Sequence, residues 1–208
     1  MAKPITLRAP SSLASTNPLL SSTSSPVVAP PISWIEGSWN VTHSSLPMWK
    51  KSRNVVIKYA RIPGTLPALL DDEVSYQSLS STKRKTVCGV DKPFNPTGAP
   101  SPTLENGNGE GEDAASLGYN WRGKGWLMIA SSKWEFLGYG EEEGGNKWAV
   151  TYFAKTMFTP AGVDFYSEEG GLKEETVDGI KVALEALGGD VAALAKQLFV
   201  VKMDDSRT

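Results

Sequence analysis

The chain has one cysteine, Cys88, and one histidine, His43, in 208 residues. A single cysteine excludes an internal disulfide, and one Cys with one His does not make a structural zinc site. No metal is therefore expected. Cys88 sits in a strand-like run, where a free thiol behaves as a small buried hydrophobe, and a reducing compartment suits it. No apolar run approaches the ~18–20 residues of a membrane-crossing helix. Nor do residues 1–33 contain the unbroken apolar stretch of ~7 residues found in a secretory leader. A cytoplasmic location is the expectation. Asn40-Val41-Thr42 is a glycosylation sequon but reads as strand. Residues 1–33 also lack acids: Lys3 and Arg8 are the only charges among eight Ser, three Thr and six Pro. Such a segment buries too little to offset its ordering entropy and is expected to be disordered. Its Ser-rich, acid-free character leaves an organellar transit peptide as the alternative.

Aromatic side chains are plentiful: 7 Trp, 6 Tyr and 6 Phe, with 40% of all residues hydrophobic. Each large aromatic buries much area with few rotors, which suits a barrel core or a pocket wall. The net charge of −2 gives no general draw to nucleic acid or to anionic lipid. The basic runs Lys50-Lys51 and Lys83-Arg84-Lys85 read as solvated strand ends.

From residue 34 onward the pattern is β. Short β-branched or aromatic runs at residues 38–44, 54–62, 73–79 and 85–90 are bounded by Pro, Gly, Asp or Ser. Residues 91–115 interrupt them with four prolines and a Gly/Asn/acid tract, which reads as a flexible loop within one domain. A phosphate cradle would need a helix after that tract, and none follows; no cofactor is expected. Strand pattern resumes at residues 119–131, 133–139, 146–157 and 163–167. Eight strands with short, hairpin-like connections predict an antiparallel meander, and the lack of βαβ alternation disfavours a parallel sheet. Helical period appears only at residues 173–200, where Val177, Ile180, Leu184 and Leu187 form one stripe and Val191, Leu194 and Leu198 another. The expected architecture is a single β-barrel domain over residues 34–205, with a helical tail packed on it. Closure removes sheet edges, and eight strands leave room inside for packed side chains or one small ligand.

Gly37-Ser38-Trp39 opens the first strand of this set. With the strand count and the C-terminal helix, it resembles the lipocalin and fatty-acid-binding (calycin) superfamily. The resemblance implies an up-and-down barrel whose closed end is plugged by Trp39. The chain departs from the secreted members: it has no Thr-Asp-Tyr motif and no disulfide pair. Their Arg after the last strand has no clear counterpart, Lys173 being the nearest cation. An intracellular, divergent calycin is the expectation. The runs Asn120–Trp126 and Ser132–Tyr139 also resemble stretches of small fungal proteins.

Period-two alternation puts Trp39, Val41 and His43 on one face. An inward His43 could act as general acid or base, or ligate haem iron; a strand-end imidazole in solvent is the plainer alternative. Arg122 and Lys124 share a face with Trp126 and Met128 on simple alternation. An inward cation there would bind a carboxylate or enolate, although Gly123 and Gly125 could mark a bulge that resets the facing. Trp134, Phe136, Trp148, Val150 and Tyr152 supply apolar bulk of common parity, and Tyr59 and Tyr76 add hydroxyls. Together they describe a ligand cavity, or else plain core. The acidic run Asp71-Asp72-Glu73 reads as a solvated turn without calcium-loop spacing.

Three functions compete at this stage. The first is a binder of an apolar small molecule carrying a polar or anionic group. The second is a cofactor-free isomerase or cyclase, acting for example on a polyketide or terpenoid intermediate. It would use His43 as acid or base, with Arg122 or Lys124 stabilising negative charge. The third is a protein-interaction module that docks through its tail or long loop. The oligomeric state is left open.

Overall fold

The computed structural model describes residues 4–16, 27–96, 114–125, 128–157 and 159–204. Eight antiparallel strands follow in chain order: β1 (Gly37–Ser44), β2 (Ser52–Arg61), β3 (Leu70–Ser78), β4 (Arg84–Phe94), β5 (Gly118–Gly123), β6 (Ser131–Glu141), β7 (Lys147–Phe153) and β8 (Gly162–Ser167). Each pairs with the next, and β8 pairs with β1, which also pairs with β2, so the meander closes into a barrel. The odd-to-even connections therefore gather at one end. The even-to-odd connections gather at the other.

That second end is plugged. A four-residue helix, α2 (Ile32–Ile35), precedes β1, with Ile32 and Ile35 buried. Trp39 Nε1 donates to the Ile35 carbonyl at 2.8 Å, and the Trp39 ring lies 5.1 Å from Trp34. Trp39 thus fills the closed end, as the Gly-x-Trp resemblance implies. Lys173 does not cover it; this exposed side chain donates to the Glu143 carbonyl.

At the other end β1 and β2 part, and the C-terminal strand β9 (Phe199–Val200) enters the gap. Val201 donates to the Thr42 carbonyl, and Asn54 donates its backbone N–H to the Lys202 carbonyl. Asn54 adopts φ 50°, a left-handed conformation that Asn tolerates better than most residues. Its side chain bonds Gln77 at 2.7 Å and Asp204 at 2.9 Å, which fixes the bulge in β2. The expectation of a helical tail over residues 173–200 thus holds for α3 (Glu174–Leu187) and α4 (Gly189–Ala195) and gives way to strand at 199.

α3 and α4 lie against the outside of β7 and β8. Their Val177, Ile180, Leu184, Val191 and Leu194 meet Val150, Val163 and Phe165 in an apolar layer. The N-terminal segment, expected to be disordered, joins that layer over residues 4–16. Leu7 is buried in it, and Arg8 donates its N–H to the Leu137 carbonyl at 2.7 Å. Arg8 Nη1 also meets Glu135 Oε2 at 2.8 Å with both side chains buried, and Ser11 N–H reaches the same carboxylate. The short helix α1 (Ser11–Ala14) follows. One buried ion pair and a few apolar side chains anchor a segment whose composition reads as solvent-loving. Residues 1–3 and 17–26 lie outside the described residues, as does the 97–113 portion of the expected loop. The start of that loop is strand instead, since β4 runs on to Phe94.

Among the described residues, no helix is long and apolar enough to cross a membrane.

Candidate functional site

The barrel interior is aromatic, with buried aspartates set into it. Trp134 is its centre: it stacks between Tyr119 at 4.9 Å and Tyr59 at 5.6 Å, and meets Phe136 edge-on at 5.0 Å. Gly89 makes room for the indole of Trp121, because a Cβ at Gly89 would come within 2.1 Å of that ring.

Asp72, Asp91 and Asp164 point into this apolar space and are almost fully buried. Register explains the grouping. Tyr59 pairs with Asp72 across β2 and β3, and Leu70 pairs with Asp91 across β3 and β4. Asp72 and Asp91 are therefore diagonal neighbours on one face, close enough to hydrogen-bond each other. Trp134 Nε1 donates to Asp91 Oδ1 at 2.8 Å. Asp72 Oδ1 and Asp91 Oδ2 receive no N–H or O–H from another residue, so a proton held between the two carboxyls is the donor available to them.

Burial dominates the acidity of all three aspartates. It pushes Asp72 well above the ordinary carboxylate value, and the nearby Asp91 charge pushes the same way. It pushes Asp91 up to about 7 against the opposing hydrogen bonds from Trp134 and Asp72. Asp164 is also pushed up to about 7 by burial, against hydrogen bonds from Ser44 Oγ at 2.5 Å and Trp49 Nε1 at 3.2 Å. Tyr166 links the two groups. Its hydroxyl is fully buried and lies beside Tyr59 and Thr151 without completing a hydrogen bond to either. Burial raises both Tyr59 and Tyr166 well above 10, so both stay neutral.

This chemistry differs from the arrangement expected from sequence. Val41, Tyr59, Trp134 and Phe136 lie inside the barrel, and Tyr76 packs at its wall against Trp49. His43 does not lie inside. β1 bulges between Val41 and His43, which turns the imidazole onto the outer face against Phe165, at 5.5 Å. There burial, then the Lys181 charge, lowers its basicity. Arg122 and Lys124 are exposed: β5 puts Tyr119 and Trp121 inward and its even positions outward, and Lys124 pairs with Asp71 on the outer surface. The chain turns at Gly125, with φ 60°, so the strand expected to continue to residue 131 ends at Gly123. Met128 sits exposed in the β5–β6 turn. Trp126 lies outside the described residues. Trp148, Val150 and Tyr152 face the outer apolar layer, and Ala149, Thr151 and Phe153 face in. β7 is buried on both faces, so hydrophobicity alone could not assign its parity.

Asp72, Asp91 and Asp164 were absent from the expected site. Asp164 carries a readable signal, an acid inside the apolar run Val163-Asp164-Phe165-Tyr166. Asp72 is masked by its acidic neighbours, and Asp91 by the Pro-rich stretch that follows. Among the described residues, no group of three or more His, Cys, Asp or Glu could hold a metal ion. A hollow of about 220 Å³ opens at the plugged end between Ile32, Pro67, Ala68, Phe94, Ala115 and Tyr119. It is smaller than the ~300 Å³ at the low end of ligand sites.

An eight-stranded antiparallel meander, closed on itself, plugged by the Trp of Gly-x-Trp and flanked by a C-terminal helix, decides the architecture. The fold is that of the calycin barrel. Solved calycin barrels are similar in shape across most of the chain. Lobster apocrustacyanin A1 matches with TM-score 0.55 and 11% identity, covering 99% of this chain and 94% of that one. Insecticyanin from the tobacco hornworm Manduca sexta matches with TM-score 0.54 and 12% identity, covering 88% and 85%. The cockroach allergen Per a 4 matches with TM-score 0.55 and 8% identity, covering 86% and 93%. No protein-family model matches the chain, and no curated protein matches its sequence.

Proposed function

We propose that the barrel binds a small, mainly apolar molecule whose polar group is neutral or basic. The observation that carries this reading is the interior set of Asp72, Asp91, Asp164 and Tyr166. These are hydrogen-bonding groups sunk in an aromatic barrel, and Tyr166 Oη, Asp72 Oδ1 and Asp91 Oδ2 lack a partner outside the set. Buried polar atoms are normally satisfied, so such a group marks a place for a ligand atom. Its chemistry favours a hydroxyl, a carbonyl or an amine over a carboxylate. A buried anion would face acidic side chains, and the cations Arg122 and Lys124 stand outside the wall.

The test is tryptophan fluorescence titration with dodecanol, dodecylamine and dodecanoate. The alcohol and the amine should bind and the carboxylate should be at least ~10-fold weaker. Equal or tighter binding of dodecanoate would overturn the proposal.

A second reading has its own support. Asp91 and Asp164, both at about 7, are poised for proton transfer near neutral pH. A cofactor-free isomerase would use one of them where the sequence pointed to His43. Asp91→Asn should then lower turnover by ~10²–10⁴ while leaving ligand affinity largely intact. Turnover that survives in Asp91→Asn and Asp164→Asn alike would rule it out.

A further inference from the structure

We infer that the end of the barrel opposite the Trp39 plug docks on an anionic lipid bilayer. This rests on the surface of the β1–β2, β3–β4, β5–β6 and β7–β8 connections and is independent of what the interior binds. An up-and-down barrel gathers these four connections at one end. Each carries at least one exposed large apolar side chain: Met48, Leu79, Met128 with Ile129, and Met157. Ile129 is 93% exposed and Met157 89%, so these are not core residues at the margin.

The charges within these connections have one sign, and Asp204, on the C-terminal segment at the same end, is paired with Arg53 and Lys202. Residues 45–51, 79–85, 124–130 and 154–161 contain seven Lys or Arg and no Asp or Glu. Lys50, Lys51, Lys83, Arg84, Lys85 and Lys155 are exposed, and Lys124, also exposed, is paired with Asp71. The plugged end has the opposite balance. Its described segments 27–36, 62–69, 142–146 and 168–173 hold five acids, Glu36, Glu142, Glu143, Glu168 and Glu169, against the one cation Lys173. The net charge of −2 hides this dipole. Two runs that read in sequence as unrelated solvated strand ends, Lys50-Lys51 and Lys83-Arg84-Lys85, are brought to one end by the meander.

Apolar tips within a ring of cations match a bilayer with anionic headgroups. The methionine and isoleucine side chains enter the interface, and the lysines stay at headgroup level. A protein partner or a second copy would also cover apolar side chains. The charge, however, commits the proposal to lipid: one-signed and spread over four loops, it suits a diffuse anionic surface.

The test is co-sedimentation of the full chain with vesicles of phosphatidylcholine containing a minority of phosphatidylserine. Binding is expected, and it should weaken steeply with added salt. Each cation removed should cost about fivefold in partitioning, so Lys50→Glu/Lys51→Glu/Lys83→Glu should abolish it. Ile129→Asp/Met157→Asp should reduce it at least ~10-fold. Leu66→Asp, at the plugged end and equally exposed, should leave it unchanged. No vesicle binding, equal binding to pure phosphatidylcholine, or an equal loss with Leu66→Asp would overturn the inference. So would concentration-dependent self-association that Ile129→Asp/Met157→Asp removes while vesicle binding stays absent.

Discussion

The wall made by β6, β7 and β8 is buried on both sides, and the two sides are built on different terms. Outside, Leu7, Leu137, Val150, Val163 and Phe165 meet the apolar stripes of α3 and α4, and the buried Glu135 is answered by Arg8 at 2.8 Å. Inside, Trp134, Phe136 and Tyr166 share their space with Asp72, Asp91 and Asp164, which no buried cation among the described residues answers. The outer side is arranged for stability. The inner side keeps groups that cost stability, because carboxyls in apolar surroundings must hold their protons to remain there. A barrel selected only to fold would not need them.

Substitutions on the two sides should separate accordingly. The largest effect is expected from Glu135→Ala, which leaves Arg8 buried without its carboxylate. It should cost about 3–5 kcal/mol in denaturant unfolding without altering interior ligand binding. Leu184→Ala, fully buried in the outer layer, should cost about 2–5 kcal/mol by the same measurement. An interior ligand lost in either folded variant would show that the sides are not separable.

The acids inside predict a pH dependence of unusual sign. Asp91 and Asp164 titrate near 7 in the folded chain and near 3.8 when unfolded. Between those values the folded state holds protons that the unfolded state has released, so stability falls as pH rises from about 4 to about 7. His43, lowered from 6.5, and Glu142, lowered from 4.5, work in the opposite direction, but they are two groups against the three raised aspartates. Asp91→Asn should flatten the thermal-stability profile and stabilise the chain on the order of 1–3 kcal/mol above neutral pH. A wild-type Tm that rises steadily from acid to neutral would contradict this. The smallest effect belongs to His43→Ala. Its half-exposed ring touches only the outer layer, so unfolding should change by under about 1 kcal/mol and interior binding not at all.

The barrel was legible because strands bounded by turn residues leave a period-two signature, and Gly37-Ser38-Trp39 marked the plugged end. The site was less legible for local reasons. One bulge after Val41 turned His43 outward, and burial on both sides of β7 removed the alternation that would have put Trp148 and Tyr152 outside. Neither feature has a strong sequence signal. Arg8 in a Ser/Pro-rich segment gave no hint of Glu135, which lies 127 residues away. Asp164 was visible as an acid in an apolar run; Asp72 and Asp91 needed the register of β2, β3 and β4 to be brought onto one inner face.

The central claim, that the interior holds neutral acids, is tested most directly by infrared titration of the carboxyl C=O stretch in wild type, Asp72→Asn, Asp91→Asn and Asp164→Asn. Protonated-acid bands should persist well above the ordinary carboxylate range and fade through pH about 7 for Asp91 and Asp164. The Asp72 band should also persist above the ordinary carboxylate range, and each variant should lose its own component. Complete ionisation of every carboxyl in the ordinary range would contradict the claim and remove the basis for a neutral or basic ligand.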